Sequence, residues 1–207
     1  MSASLTDDLL NQLQGQPLAQ LSSQLGLSGP QTQNAVGAAL PLLLGALGRN
    51  ASQPQGAEAL FGALQRDHAG GGGLDLGSVL GAVLGGASNR QTDGAGILGH
   101  IFGGREEAAA QGLGQSTGLG GSQANTLLKI LAPIVLSYLA QRMLSGGNQA
   151  AASPQQLGQV LGQEHQRIQQ QDATGGLLGA VLDQDGDGQL GLGDLLKIGG
   201  NLLGGKR

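Results

Sequence analysis

The 207-residue sequence contains no cysteine, and that absence excludes several classes of function. A disulfide framework, a thiol nucleophile and a thiolate metal site all require this residue. Aromatic residues are almost as scarce, at 1%, and tryptophan is absent. A hydrophobic core must therefore be built from leucine, alanine, valine and isoleucine. Such a core packs through many small contacts rather than a few large ones.

Charge is also sparse, with 12% charged residues and a formal net charge of −4. Nucleic-acid binding usually leaves a basic stripe, so the composition argues against a nucleic-acid partner. Residues 1–8 are acidic where a signal peptide carries positive charge. The longest apolar runs, residues 35–47 and 130–136, are too short to span a bilayer and each contains a proline. We expect a cytoplasmic protein, with export by an unconventional route left open.

Glycine is abundant instead, at 41 residues. A glycine inside a helix costs roughly 0.5–1 kcal/mol relative to alanine, so this abundance needs an explanation. Small residues recur every four positions at Gly77, Gly81 and Gly85, and again at Gly158 and Gly162. This spacing favours close packing between helices in a soluble protein. Peripheral membrane association is the alternative interpretation.

An internal repeat organises the chain. Residues 26–31 read GLSGPQ and residues 118–123 read GLGGSQ, while Pro41 and Pro133 lie in similar apolar surroundings. Both matches are offset by 92 positions. Two later matches follow in the same order. At an offset of 97, Leu60, Leu64, Asp67 and His68 match Leu157, Leu161, Glu164 and His165. At an offset of 98, residues 81–84 match residues 179–182. Slowly growing offsets are what a duplication with small insertions produces.

The fold class that this pattern predicts is all-α, an irregular multi-helix array made from two diverged copies of a helical unit. Two central apolar helices carry Pro41 and Pro133, where each proline should remove a backbone hydrogen bond and kink the helix. The second spans about 122–145 and is apolar on nearly every face, as buried helices are. No segment alternates in the manner of a strand. Shorter helices are expected near 4–14, 17–25, 54–67, 75–85, 93–102, 105–116, 154–171, 174–182 and 192–203.

We place the first half at residues 1–104 and the second at residues 105–207. Residues 70–73, four consecutive glycines, are the predicted internal linker. A longer hinge between the halves is expected around Gly103 and Gly104.

The most specific site in the sequence is residues 183–194, DQDGDGQLGLGD. Calcium needs six to eight oxygen ligands around one point, and acidic residues at loop positions 1, 3 and 5 can converge as the chain curls. A glycine at position 6, Gly188, permits the sharp turn. Position 7 offers a backbone carbonyl. The predicted metal ligands are Asp183, Asp185, Asp187, Gln189 and Asp194.

Asp194 departs from the EF-hand pattern, which usually has glutamate at position 12. Because aspartate is one methylene shorter, the pattern admits weaker calcium binding or binding of magnesium. The segment resembles an EF-hand loop and also the calcium loops of dockerin modules. The alternative is an Asp/Gly-rich turn that caps the next helix. The corresponding residues 86–93 of the first half lack the acidic ladder, and a single loop suits a structural ion better than a cooperative sensor.

The sequence offers no convincing catalytic arrangement. His68 and His165 occupy matched positions beside Asp67 and Glu164, near the ends of predicted helices. There a histidine favours capping of the negative helix end. A metal site shared between the halves is the less favoured alternative. We therefore expect no enzyme activity.

The paired helices around Pro41 and Pro133, together with residues 5–10 (LTDDLL) and 92–103 (TDGAGILGHIFG), resemble the bacterial family of unknown function DUF937, which is related to YidB-like proteins. The resemblance covers roughly residues 1–145. It implies an irregular helical array and a bacterial source, and it implies no activity. The calcium-type segment looks like an addition to the family pattern.

Together these features predict a non-catalytic helical scaffold or interaction protein with one EF-hand-like calcium loop. Its expected partners are a calcium ion and either another protein or a second copy of the chain. The alternative is a peripheral membrane-associated or membrane-active protein that uses Gly/Leu-rich helices.

Overall fold

The computed structural model describes residues 4–68, 76–85, 92–144 and 153–172. These ranges contain nine α-helices, one π-helical turn and no β-strand, so the all-α prediction is confirmed for the part of the chain described. The helices are α1 (Leu5–Leu13), α2 (Gln16–Leu25), α3 (Gly29–Ala51), α4 (Pro54–Ala63), α5 (Leu76–Leu84), α6 (Gly94–Phe102), α7 (Glu106–Thr117), α8 (Gly121–Leu144) and α9 (Pro154–Asp172).

The predicted helices match these bounds to within one or two residues over most of the chain. One difference lies after α4, where the segment expected to continue to residue 67 changes to a π-helical turn, Leu64–His68. The predicted helices at 174–182 and 192–203, and the predicted linker at 70–73, lie outside the described residues.

Local capping explains why the helix starts are readable from sequence. Ser4 caps α1, because its side chain accepts a hydrogen bond from the backbone N–H of Thr6. At the start of α3 the backbone N–H of Ser28 donates to Oε1 of Gln31 at 3.1 Å. The equivalent bond at the start of α8 runs from the N–H of Gly120 to Oε1 of Gln123 at 3.2 Å. The predicted duplication relates these two caps at the same offset of 92 positions, although the duplication itself stays a prediction.

The helices α3 and α8 form the centre of the fold. Helix α8 packs against α2, α3, α5, α6, α7 and the π-helical turn, and α3 packs against α1, α2, α4, α6 and α7. Every residue from 130 to 140 is buried, as expected for a helix that is apolar on all faces. Pro41 and Pro133 lie inside uninterrupted helices, and the kinks expected there stay predictions.

Helix α8 is also the one described helix that is long and apolar enough to cross a membrane by length and composition. Its segment Gly121–Met143 has 78% of the apolar window buried inside the protein. Such burial is what the core helix of a helical protein requires.

The chain divides into two compact units. The first is Met1–Ile168 and contains α1 to α8 and most of α9. The second is Gln169–Arg207, of which the structure describes only the last four residues of α9. Both predicted halves contribute helices to the first unit. Between α6 and α7 the turn is made by Gly103 and Gly104, both with positive φ (59° and 84°), a conformation that favours glycine.

The close approach of α6 to α8 explains why one of the many glycines in the chain is needed at its position. Gly94, at the start of α6, is buried against the backbone of α8. A Cβ atom at this position would overlap the carbonyl oxygen of Lys129. Only a residue without a side chain lets α6 and α8 approach so closely.

Candidate functional site

The described residues contain no group of three or more His, Asp or Glu side chains that could hold a metal ion. The predicted ligands Asp183, Asp185, Asp187, Gln189 and Asp194 all lie outside the described ranges. Their convergence therefore stays a prediction. Among the described residues, two groups of hydrogen-bonded polar side chains lie where α1 meets α8 and α9.

The N-terminus of α1 receives a carboxylate from a distant part of the chain. Glu164 of α9 accepts hydrogen bonds at Oε1 from the hydroxyl of Ser4 (2.5 Å), and from the hydroxyl (2.9 Å) and backbone N–H (3.2 Å) of Thr6. The first backbone N–H groups of a helix have no partner within the helix, and the helix dipole favours a negative charge there. Glu164 thus acts as a second cap on α1, supplied 160 residues away in sequence.

Glu164 is deeply buried, with 4% of its surface exposed. Burial by itself would raise the pKa of this carboxyl, but the hydrogen bonds from Ser4, Thr6 and the backbone of Leu5 outweigh burial and lower the pKa below its ordinary value of 4.5. The guanidinium of Arg167, one turn further along α9, lies 3.7 Å from Oε2. Glu164 is therefore held as a carboxylate at neutral pH.

A second polar contact joins α1 to α8. Nη1 of Arg142 donates to Oδ2 of Asp8 at 2.8 Å and to the hydroxyl of Tyr138 at 3.0 Å. The Tyr138 hydroxyl in turn donates to Oδ2 of Asp8 at 3.3 Å. Burial raises the pKa of Tyr138 above 10, with the charge of Asp8 adding to this effect and that of Arg142 opposing it. Tyr138 is therefore a neutral phenol that bridges the two charges.

We expect the Asp8→Asn variant to lose no more than about 1 kcal/mol of unfolding free energy, because the ion pair is partly exposed and solvent screens it. The side chains of Arg142 and Asp8 are 42% and 28% exposed. Urea denaturation at low and high salt measures the effect. The difference between wild type and variant should shrink as salt rises. A loss several times larger, independent of salt, would contradict a screened contact.

Helix α9 also lies close against α3. A Cβ atom on Gly48 of α3 would lie 2.8 Å from the carbonyl oxygen of Leu161 and 2.9 Å from Cβ of His165. Further along the same contact, a Cβ atom on Gly158 of α9 would lie 3.1 Å from the carbonyl oxygen of Ala51. Small residues on both helices thus let the two backbones approach. Of the glycines whose spacing predicted tight packing, Gly158 takes part in this contact, whereas a Cβ atom on Gly81 or Gly162 would meet nothing within 4 Å.

His165 lies at the centre of this contact. Burial lowers its pKa below 6.5, and the positive charge of Arg49 on α3 lowers it further, while a hydrogen bond to the backbone of Gly45 partly opposes both. The sequence suggested that His165 caps the end of its helix, and this interpretation was wrong. His165 lies seven residues before the last residue of α9 and packs its ring against α3.

The predicted repeat matches Glu164 with Asp67, but it assigns Glu164 no role. A signal was present in the periodicity of α9. Leu157, Leu161 and Ile168 form one apolar stripe, and Glu164 occupies the position between the last two. A carboxylate on the buried face of a helix must find hydrogen-bond donors. The identity of those donors, at the other end of the chain, could not be read from local sequence.

Comparison with known protein families gives a match over most of the chain. The model of a family described as "Bacterial protein of unknown function (DUF937)" matches residues 7–142. The match begins in the first turn of α1 and ends in the last turn of α8, so α9 and residues 183–194 lie beyond it. No curated protein and no solved structure matches the chain.

Proposed function

The chain belongs to the bacterial DUF937 family, whose function is unknown, and we propose that it is a non-catalytic helical scaffold with a calcium-binding loop at residues 183–194. The observation that carries the calcium proposal is the order of residues in that loop. Aspartates at positions 1, 3, 5 and 12, with glycine at position 6, supply the acidic oxygens and the sharp turn that a calcium site needs.

The position of the loop in the chain favours an added ion site rather than a property of the whole family. The family match ends at residue 142, and the loop begins at residue 183. A single loop of this type suits an ion that stabilises local structure, because cooperative opening in EF-hand sensors depends on paired loops. Ion binding would then add folding stability by mass action.

The polar contacts of the described residues support the scaffold part of the proposal. Glu164 joins α9 to α1, Arg142 joins α8 to α1, and Asn50 of α3 donates through Nδ2 to the carbonyl oxygen of His100 in α6 at 3.1 Å. Gln123 of α8 likewise donates to the carbonyl oxygen of Leu25 at the end of α2 at 3.1 Å. Each of these groups holds two helices together. Their positions favour an architectural role for the polar side chains.

Isothermal titration of the full chain with calcium, and separately with magnesium, tests the proposal. We expect wild type to bind one ion, and Asp185→Ala to lose binding because it removes a central ligand. The Asp194→Glu variant should bind calcium more tightly than wild type, since the longer side chain reaches the ion with both oxygens. The same substitution should help magnesium less, because magnesium prefers ligands that contribute one oxygen each.

Glu58→Gln is the matched control, because Glu58 is an exposed carboxylate on α4, far from the loop in sequence. The affinity of the Glu58→Gln variant for calcium should equal that of wild type. The absence of binding heat and of any calcium-dependent change in thermal midpoint in wild type would end the calcium proposal. Equal losses in Asp185→Ala and Glu58→Gln would show that calcium only screens surface charge.

A further inference from the structure

We propose that α9 is a releasable clasp on the helical body of the protein, and that acidification releases it in two steps, first at His165 and then at Glu164. This inference goes beyond the scaffold and calcium proposals and depends on neither. It rests on the two places where α9 is attached, the N-terminus of α1 and the glycine-lined face of α3.

The composition of α9 makes it dependent on those attachments. One face carries Leu157 and Leu161, both fully buried, and most of the remaining positions from 155 to 167 are glutamine or charged residues. An isolated helix of this length is marginal in water. Helix α9 is therefore expected to lose its backbone hydrogen bonds when it leaves the body, which makes its release measurable.

The first step follows from the surroundings of His165. In the docked state the half-buried His165 places Nδ1 of its ring beside Gly45 and its Cβ atom beside Gly48, and neutral imidazole is favoured there. Helix α9 contacts α1 through Glu164, α3 through Gly48, and α4 where Gly158 lies near Ala57. The charged groups on these three helices are Asp7 and Asp8 on α1, Arg49 on α3 and Glu58 on α4, and Glu164 and Arg167 are neighbours of His165 on α9 itself. Arg49 acts on His165 directly and repels the imidazolium.

The pKa shift of His165 determines how acidification affects the docking of α9. Because the docked state lowers the pKa of His165 below 6.5, the released state binds the proton more readily. Neutral His165 therefore stabilises the docked state fully above pH 6.5. This stabilisation is lost as the pH falls through the lower pKa that His165 has in the docked state. Acidification into this range should loosen α9.

The second step follows from Glu164. Its carboxylate accepts three hydrogen bonds at the start of α1, and a protonated carboxyl would lose much of its strength as an acceptor. Since the docked state lowers the pKa of Glu164 below 4.5, its contribution is present above pH 4.5 and is lost as the pH falls through the docked value. The two groups thus act in the same direction over different ranges of pH.

Hydrogen exchange of the full chain, followed by mass spectrometry, tests the clasp. Rates at about pH 7.5, 5.5 and 4 are corrected for intrinsic exchange, so that they report opening equilibria. We expect exchange in peptides from residues 154–168 to increase severalfold between the first two pH values and again at the third. Peptides from residues 127–140 of α8 should keep their protection across the same range, because their environment contains neither titrating group.

Variants separate the two steps. His165→Gln keeps a neutral hydrogen-bonding side chain that does not titrate, so it should abolish the first increase and retain the second. Glu164→Gln should raise α9 exchange at every pH and abolish the second increase. Glu58→Gln, the exposed control on α4, should reproduce the wild-type profile.

Parallel loss of protection in α8 and α9 at every pH would overturn the proposal, since it would show global unfolding. A flat profile for α9 between about pH 7.5 and 4 would also overturn it. Both of these outcomes can be read from wild type alone, even if a variant fails to fold. Retention of the full first increase in His165→Gln would likewise overturn the proposal, because the increase would then come from another group.

Discussion

Replacing Gly94 with alanine is expected to destabilise the protein by about 3 kcal/mol, because the new methyl group would overlap the backbone of α8. The added Cβ would collide with the carbonyl oxygen of Lys129 and lie 2.7 Å from its carbonyl carbon. Both are backbone atoms of a central helix, so neither can turn aside as a flexible side chain would. The change must move α6 away from α8. Urea denaturation followed by far-ultraviolet circular dichroism measures the loss.

Gly99→Ala is the matched control within the same helix. A Cβ atom on Gly99 meets nothing within 4 Å. The substitution should therefore stabilise the protein by about 0.5–1 kcal/mol, through the lower backbone entropy of alanine in the unfolded chain. The two variants of α6 should differ in the sign of their effect. Equal effects would mean that helix propensity, rather than the contact between α6 and α8, controls the response.

Leu131→Ala should cost about 3 kcal/mol, because it opens a cavity in the part of α8, residues 130–140, that is buried on all sides. Leu131 is fully buried in α8. With aromatics at 1% of the sequence, the core relies on many aliphatic contacts of this kind. The surrounding helices are attached to α8 along its length and cannot easily collapse into the space. Chemical denaturation again measures the change in unfolding free energy.

Leu42→Ala on α3 removes the same atoms from a partly buried site. Since the helix propensity change is identical, the difference between the two leucine variants isolates burial. We expect the α3 variant to lose about 1 kcal/mol, roughly a third of the effect at residue 131. A loss at residue 42 as large as that at residue 131 would contradict the central position assigned to α8.

The features that sequence analysis predicted well are local ones. The bounds of α1 and α2 follow from capping residues and glycines that act within a few positions, such as Ser4 and Gly26. The burial of α8 follows from its apolar composition on every face. Membership of the DUF937 family was likewise indicated by motifs in residues 5–10 and 92–103 and confirmed by the match over residues 7–142.

The features that the sequence did not predict depend on contacts between distant residues. Glu164 meets Ser4 across 160 positions, and His165 meets α3 across more than a hundred. Helical periodicity can place Glu164 on the buried face of α9, but it cannot identify the helix that faces it. The predicted calcium loop is a different case, because all of its ligands lie within twelve residues of one another. The proposal that it binds calcium therefore rests on the local sequence pattern alone.

The contact between α1 and α8 has a practical consequence, because Tyr138 is the sole tyrosine of a chain without tryptophan. Its ring lies in the middle of that contact, bonded to both Asp8 and Arg142. The near-ultraviolet absorption and emission of the whole protein therefore arise at one junction between two helices, apart from the weak signal of two phenylalanines. A spectroscopist gains a site-specific optical reporter on that junction without adding a label.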